Sequence, residues 1–367
     1  MKKLLSVLLV IALLTTMLAG CQKASDKSSE NQETTSSGAS DEVSNPEQPE
    51  EKPDESEEAQ VETGEKEKEY EPVDIRIGGL KGPTSIGMVK LMESAETGTA
   101  ANNYTFTIAG SADELTPKLV QGELDIAAVP ANLASVLYNN TNKAVKLLAV
   151  NTLGVLYIVE KGDEINSLGD LKGKTIYATG KGSVPEYNLR YLLSENGIDP
   201  DKDVTIEWKT EPTEVVALLK EMDSGIAMMP QPYVTVAQTQ VEGLRIAVDL
   251  TKEWESLDNG SALITGVLVV RSDFAEKYPE QIAAFLDEYK LSTEYVNSNV
   301  SEAAKLVEKF DIVKAAVAEK AIPYCNITYL EGDEMKSAME GYLGVLFNQN
   351  PKSVGGTLPE DDFYYVR

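Results

Sequence analysis

Residues 118–132 read Lys-Leu-Val-Gln-Gly-Glu-Leu-Asp-Ile-Ala-Ala-Val-Pro-Ala-Asn, and this stretch decides the fold. It begins in the last turn of a helix expected over 113–121 and breaks at Gly122. It then runs through an unbroken apolar segment at 125–129 and turns at Pro130 into a second helix over 132–138. A short apolar run with helical patterns on both sides is what a strand covered on both faces shows. Helix–strand–helix order of this kind predicts an α/β fold.

The alternation extends outward in both directions. Strands are expected at 73–78, 104–108 and 145–150, with a helix at 84–95 placing Ile86, Val89 and Met92 on one face. A long apolar strand at 153–159 reads as a crossover, after which the pattern begins again. Strands are expected at 174–178, 204–208, 226–229 and 244–250, and helices at 185–196, 212–222 and 232–240. A second long strand at 263–270 is followed by helices alone, over 279–298, 301–310, 312–320 and 331–347. Two similar halves joined by two long strands predict two lobes, each with a mostly parallel sheet. Ligands of open α/β sheets bind beyond the carboxyl ends of the strands. The cleft between the lobes is therefore the expected site.

Composition removes several function classes. The chain has 367 residues, enough for about two domains. Lysine and arginine number 33 against 60 acidic residues, a net charge of −27, which opposes a nucleic-acid partner because phosphate binding needs a basic footprint. Histidine is absent, which excludes Ser-His-Asp and Cys-His catalysis, HExxH zinc sites and histidine-ligated haem. The two cysteines, Cys21 and Cys325, are too few for a thiolate zinc site or an iron–sulfur cluster. No metal, cofactor or catalytic residue is expected.

The N-terminus reads as an address. Lys2 and Lys3 precede an apolar stretch at 4–18, broken only by Ser6, Thr15 and Thr16. It is shorter than the roughly 20 residues of a membrane span and reads as a secretory signal over 1–20. Leu18-Ala19-Gly20-Cys21 resembles the bacterial lipobox, which implies cleavage before Cys21 and its lipidation; the alternative is a free thiol behind an ordinary signal. Residues 21–72 hold 17 acidic and 5 basic side chains and few aliphatic ones, the composition of a disordered tether. Its r.m.s. span is about 40 Å. The expected location is the extracytoplasmic face of a bacterial cell membrane, reached through the lipid on Cys21. Cys325, left without a disulfide partner, reads as a buried small hydrophobe.

Five pieces in order carry a family resemblance. They are Asp-Ile-Arg-Ile-Gly-Gly-Leu-Lys-Gly-Pro at 74–83, the 118–132 stretch, and Ser-Leu-Gly-Asp-Leu-Lys-Gly-Lys-Thr-Ile at 167–176. Met-Met-Pro-Gln-Pro-Tyr at 228–233 and Gly-Val-Leu-Val-Val-Arg-Ser-Asp-Phe-Ala-Glu-Lys-Tyr-Pro-Glu at 266–280 complete the set. Together the chain over 73–367 resembles the substrate-binding lipoproteins of ABC importers for nitrate, sulfonates, taurine and thiamine precursors. The resemblance implies the two-lobed type II periplasmic-binding fold, with lobe 1 at 73–159 and 264–367 and lobe 2 at 160–263. It implies a monomer that closes on a small organic or oxyanionic ligand and delivers it to a membrane permease.

The expected ligand contacts lie in loops at the strand ends. Lys81, Gly82, Pro83, Thr84 and Ser85 open the first helix: Pro83 suits the first helical position, and the free NH groups of Thr84 and Ser85 favour an anion. Gly180, Lys181, Gly182 and Ser183 form the matching loop of lobe 2, which by the resemblance offers NH and hydroxyl donors. Ser111 is a helix cap or a cap that also touches ligand; Asn132 is a cap or an amide contact. Gln231 and Tyr233 stand where the family has Trp-Glu-Pro-Tyr, so aromatic and carboxylate are both replaced before Pro232. Lys81 and Lys181 either pair an anionic ligand or are solvated, and the loops contain no arginine for a bidentate clamp.

Two other classes compete with the binding reading. Enzymes on the same fold include fungal-type pyrimidine synthases, which use histidine and a cysteine-rich segment lacking here, and cytoplasmic futalosine-pathway enzymes, which the lipobox opposes. A surface-tethered sensor or interaction protein without a transport role fits the chain as well.

Overall fold

The computed structural model describes residues 71–367; the signal, Cys21 and the tether as far as residue 70 lie outside the described residues. Eleven strands form two sheets. The first is built from β1 (Asp74–Leu80), β2 (Asn103–Ala109), β3 (Ile126–Pro130) and β4 (Val145–Leu153). The second takes β5 (Leu156–Lys161), β6 (Thr175–Thr179), β7 (Thr205–Lys209), β8 (Gly225–Pro230) and β9 (Leu244–Asp249). The chain then returns to the first sheet with β10 (Ile264–Arg271) and β11 (Ile327–Leu330). The orders are β11-β4-β10-β3-β1-β2 and β7-β6-β8-β5-β9. Helices cover the faces, so Ile126, Ala127, Ala128 and Val129 of β3 are all fully buried. This is the two-lobed α/β fold expected from the alternation.

The sheets are mixed rather than mostly parallel. β1 runs parallel to β2 and β3, and β6 parallel to β7 and β8. β10 runs antiparallel to β3 and β4, and β5 antiparallel to β8 and β9. The reason is topological. β4 and β9 leave their sheets at the end where the parallel strands finish. The strand that follows each crossing starts at that same end of the other sheet, so it must run backwards.

Four local expectations change. The helix expected at 84–95 is two helices, Pro83–Ile86 and Val89–Thr97, separated by Gly87 and Met88. The Ser292 hydroxyl is inserted at the break, donating to Gly87 O at 2.7 Å and accepting from Leu91 N at 3.1 Å. A Cβ on Gly87 would lie 3.2 Å from the Tyr289 hydroxyl, so glycine lets the long helix Pro279–Ser298 approach. The apolar stretch at 153–159 is likewise two strands, parted at Gly154, where any Cβ would collide with Thr251. The strand expected at 244–250 stops at Asp249, whose carboxylate accepts from Thr251 N at 3.0 Å and caps a helix at Leu250–Ser256. Helices do not fill the whole C-terminal part, because Ile327–Leu330 adds β11 to the edge of the first sheet beside β4. A helix at Ser272–Lys277 precedes the expected four, which fall at Pro279–Ser298, Val300–Lys309, Ala315–Ala321 and Gly332–Gln349.

Cys325 is fully buried with its thiol pushed up by burial. The helix Gly332–Gln349 docks on the other lobe. Its buried Tyr342 donates to Asn188 Oδ1 at 2.9 Å, and its ring lies 5.6 Å from that of Trp254. Asn188 sits on the helix Val184–Glu195 and Trp254 on Leu250–Ser256, both beside the second sheet. Tyr342→Phe leaves Asn188 Oδ1 buried without a donor. Equilibrium denaturation should show a loss of about 1–3 kcal/mol; an unchanged midpoint would mean that water takes over the bond.

Candidate functional site

The carboxyl ends of β1, β3, β6 and β8 and the amino ends of β5 and β10 face the gap between the sheets. After β1 the chain turns at Gly82, whose φ of 148° and ψ of −159° lie in a region that side chains avoid. Pro83 follows at the first helical position, as expected. The helix is a single turn, however, and Ser85 N already donates to Gly82 O at 3.1 Å. So short a helix has little macrodipole, and the anion cradle expected at Thr84 and Ser85 loses a donor. The Ser85 hydroxyl is turned into the lobe against Gly79. Lys81 is ion-paired with Asp311 at 2.8 Å and holds that carboxyl below its usual range.

Four buried polar atoms without partners, Thr84 Oγ1, Ser85 Oγ, Asn132 Oδ1 and Thr265 Oγ1, belong to segments at this end of the first sheet. Gly266 pairs with Pro130 at the end of β3, and a Cβ on Gly266 would collide with the Thr84 side chain. Thr84 is 6% exposed and its Oγ1 has no partner. Asn132, 4% exposed, follows Pro130 in the first turn of the helix Ala131–Asn140. Its Nδ2 donates to Ser353 O at 3.0 Å, while its Oδ1 has no partner. Thr265 is the extra residue of a bulge: Ile264 faces Leu153 and Gly266 faces Thr152. Its Oγ1 is also buried and unpartnered. Asn151 donates to Thr84 O and to the Tyr289 hydroxyl, both at 3.1 Å, and fixes the Thr84 turn.

The loops of the other strands are capped from within. Ser111 is exposed and forms a capping box with Glu114, whose Oε1 accepts from Gly110 N at 3.2 Å and Ser111 N at 3.1 Å. In lobe 2, Gly182 N donates to Glu186 Oε2 at 2.7 Å, and Ser183 N to Gly180 O at 3.1 Å. Gly180 packs on Pro185, where a Cβ would come within 2.6 Å; Gly182 and Lys181 are exposed. Gln231 is 1% exposed, and its Oε1 accepts from Thr235 N and Thr235 Oγ1 at 3.3 and 2.9 Å. With Thr235, it lines a groove of about 330 Å³ closed from lobe 1 by Lys320 and Tyr324. Tyr233 is half-buried; burial and Glu211 push its phenol up, and Lys81 from lobe 1 opposes them.

Thr84 and Asn132 each lie at a strand end of the first sheet, Ser85 Oγ is buried without a partner as Thr84 Oγ1 is, and Ser111 and Gln231 are engaged by the protein itself. Sequence reasoning missed Thr265, Asn188, Glu114 and Glu186. The bulge at Thr265 leaves no trace in the apolar run around it. Asn188 does have a signal, being the polar member of the stripe Val184, Asn188 and Leu192. The two glutamates stand three residues after Ser111 and Ser183, the spacing of a capping box. Among the described residues no group of three or more Cys, Asp or Glu side chains could hold a metal ion. Nothing lies within 4 Å of a Cβ on Gly82, so Gly82→Ala tests backbone strain without a clash. A loss of about 1–3 kcal/mol in equilibrium denaturation is expected, and an unaltered stability would show that the turn relaxes.

The comparisons with known proteins agree with the two-lobed fold. No curated protein matches the chain. An ABC transporter structure from Parabacteroides distasonis is 25% identical with a TM-score of 0.68, covering 80% of this chain and 99% of that one. The ligand-binding component of an ABC-type import system from Staphylococcus aureus, solved with zinc bound, is 16% identical with a TM-score of 0.64, over 80% and 97% of the two chains. The periplasmic aliphatic sulphonate binding protein SsuA from Escherichia coli is 19% identical with a TM-score of 0.63, over 80% and 96%. Residues 86–309 match the family model itself, and with the two-lobed fold around the cleft they place the chain in the NMT1-like family.

Proposed function

We propose that the protein is an extracytoplasmic solute-binding lipoprotein. It captures a small organic or oxyanionic solute between its lobes and hands it to the permease of an ABC importer. The observation that carries this reading is the pair of facing sheets, with the carboxyl ends of β1, β3, β6 and β8 turned to one gap. The similar import-system structures support the same role. The sequence has no histidine, the commonest general base, which favours binding over catalysis. Cys21 serves as the lipid anchor, and the acidic segment behind it as the tether. Among the described residues no helix is long and apolar enough to cross a membrane, so attachment rests on Cys21.

Two measurements test the reading. The full chain, extracted from membranes and incubated with a deproteinised cell extract, should retain a small molecule in native mass spectrometry. A chain that emerges empty would sink the binding role. In detergent phase partition the natural chain should follow the detergent, and Cys21→Ser should move to the aqueous phase. Detergent partition of Cys21→Ser equal to that of the natural chain would remove the anchor.

A further inference from the structure

We propose that the groove between the helix Tyr233–Gln240 of lobe 2 and the segment 315–324 of lobe 1 is a second binding site, which takes a small organic carboxylate on the Gln231 amide and the Lys320 ammonium. The proposal stands beside the solute-binding reading and does not depend on it.

The groove is a place of its own. It holds about 330 Å³, near the lower end of the roughly 300–1,000 Å³ usual for small-molecule sites. Gln231, Thr235 and Ile246 form its lobe 2 side, and Lys320 and Tyr324 its lobe 1 side. None of its lining comes from the loops after β1, β3 or β6, so it lies to the flank of the strand-end gap. Tyr157 donates to Tyr324 O at 3.2 Å and holds the lobe 1 wall against β5.

The Gln231 amide is the feature that asks for an occupant. The residue is 1% exposed. Its Oε1 accepts from Thr235 N at 3.3 Å and from Thr235 Oγ1 at 2.9 Å. A backbone N–H only donates, so the amide cannot be turned round, and Nε2 is the end left over. No described residue accepts from that nitrogen. It is not among the unpartnered side-chain atoms sealed from solvent, and the residue lines the groove. Its N–H groups therefore open on the groove and call for an acceptor.

Charge decides which acceptor. Lys320 is exposed and makes no ion pair among the described residues. Glu319 beside it accepts from the Ser301 hydroxyl. Gln238 and Thr239, the rest of the lining, are neutral, and no acidic side chain lines the groove. In a chain of net charge −27, a groove with a free cation and no acid of its own favours an anion. A carboxylate suits the two donors: one oxygen takes Gln231 Nε2, and the flexible stem of Lys320 brings its ammonium to the other. Ile246 and the ring of Tyr324 leave apolar surface for an organic substituent. An occupant held by Gln231 of one lobe and Lys320 of the other favours those placements of the lobes that let both reach it.

Titrated thermal shifts of the full chain test this, with benzoate against benzamide at matched ionic strength. Benzoate should raise Tm and benzamide should not. No shift with benzoate, or an equal one with benzamide, overturns the proposal. Lys320→Gln removes the charge at an exposed, unpaired position and should weaken benzoate about fivefold. Benzoate binding unchanged in Lys320→Gln would put it elsewhere and overturn the site. Gln231→Glu keeps an acceptor for Thr235 and turns the free donor into an oxygen. Benzoate affinity should then fall about tenfold, with the fold read from Tm of the free variant. Unchanged affinity overturns the role of the amide. A chain that retains nothing from the cell extract yet binds benzoate through Lys320 removes the solute-binding reading and leaves this site standing.

Discussion

The chain crosses between its two sheets at the same end twice, and that constraint shapes everything at the cleft. A strand arriving from the other lobe has to begin where the parallel strands finish. β10 therefore brings its amino end, with Thr265 and Gly266, in among the carboxyl ends of β1 and β3. A fully parallel sheet would supply only strand-to-helix loops at that edge. The reversed strand adds a bulged side chain and a glycine, and the glycine lets Thr84 close on the sheet from the other side. The meeting of Thr84 with Gly266 is thus a product of topology as much as of residue choice.

Charge is distributed by the same logic. Burying an ion is costly unless it is paired and fully hydrogen-bonded. Both buried carboxylates meet that condition, and both do so away from the cleft. Asp125, ahead of β3, accepts from Arg76 N at 2.9 Å and Arg76 Nη2 at 2.6 Å, with Arg271 at 3.4 Å. Glu160, near the far end of β5, accepts from Glu164 N, Ile165 N and Arg245 Nη2, and so staples the loop that follows. Toward the cleft the Glu114 carboxylate is an exposed helix cap rather than a buried ion.

The strand–helix alternation was legible because it is written in apolar periodicity, and the long helix Pro279–Ser298 matches its expected limits. Interruptions were not legible, because each depends on a residue far away in the chain. Ser292 opens the helix at Gly87, and Thr251 occupies the space beside Gly154. Leu250 continues the apolar run of β9, so the cap that Asp249 provides for Thr251 was hidden inside a strand-like pattern. β11 has only four residues and no alternation long enough to read. The strand-end positions of Thr84 and Asn132 were legible from the alternation, whereas the bulge at Thr265 comes from a register shift that periodicity does not encode. The direction of the β10 and β5 pairings was available in principle, since two crossings at one edge require it.

The contacts that join the lobes differ greatly in what it takes to part them. Tyr342, Asn188 and Trp254 are fully buried, and Tyr157 donates to Tyr324 O at 3.2 Å. Separating such groups strands hydrogen-bonding atoms and breaks aromatic contacts worth about 0.5–1.5 kcal/mol beyond the area buried. Lys81 of lobe 1, itself ion-paired with the exposed Asp311, acts on Tyr233 of lobe 2 across a part-exposed rim, where solvent readily replaces that attraction. The helix Gly332–Gln349 lies late in the chain, after both crossings are complete. Parting the lobes would have to break the contacts of that helix, the costlier of the two sets. Solvent screening leaves the charged rim at Lys81 with little say in it.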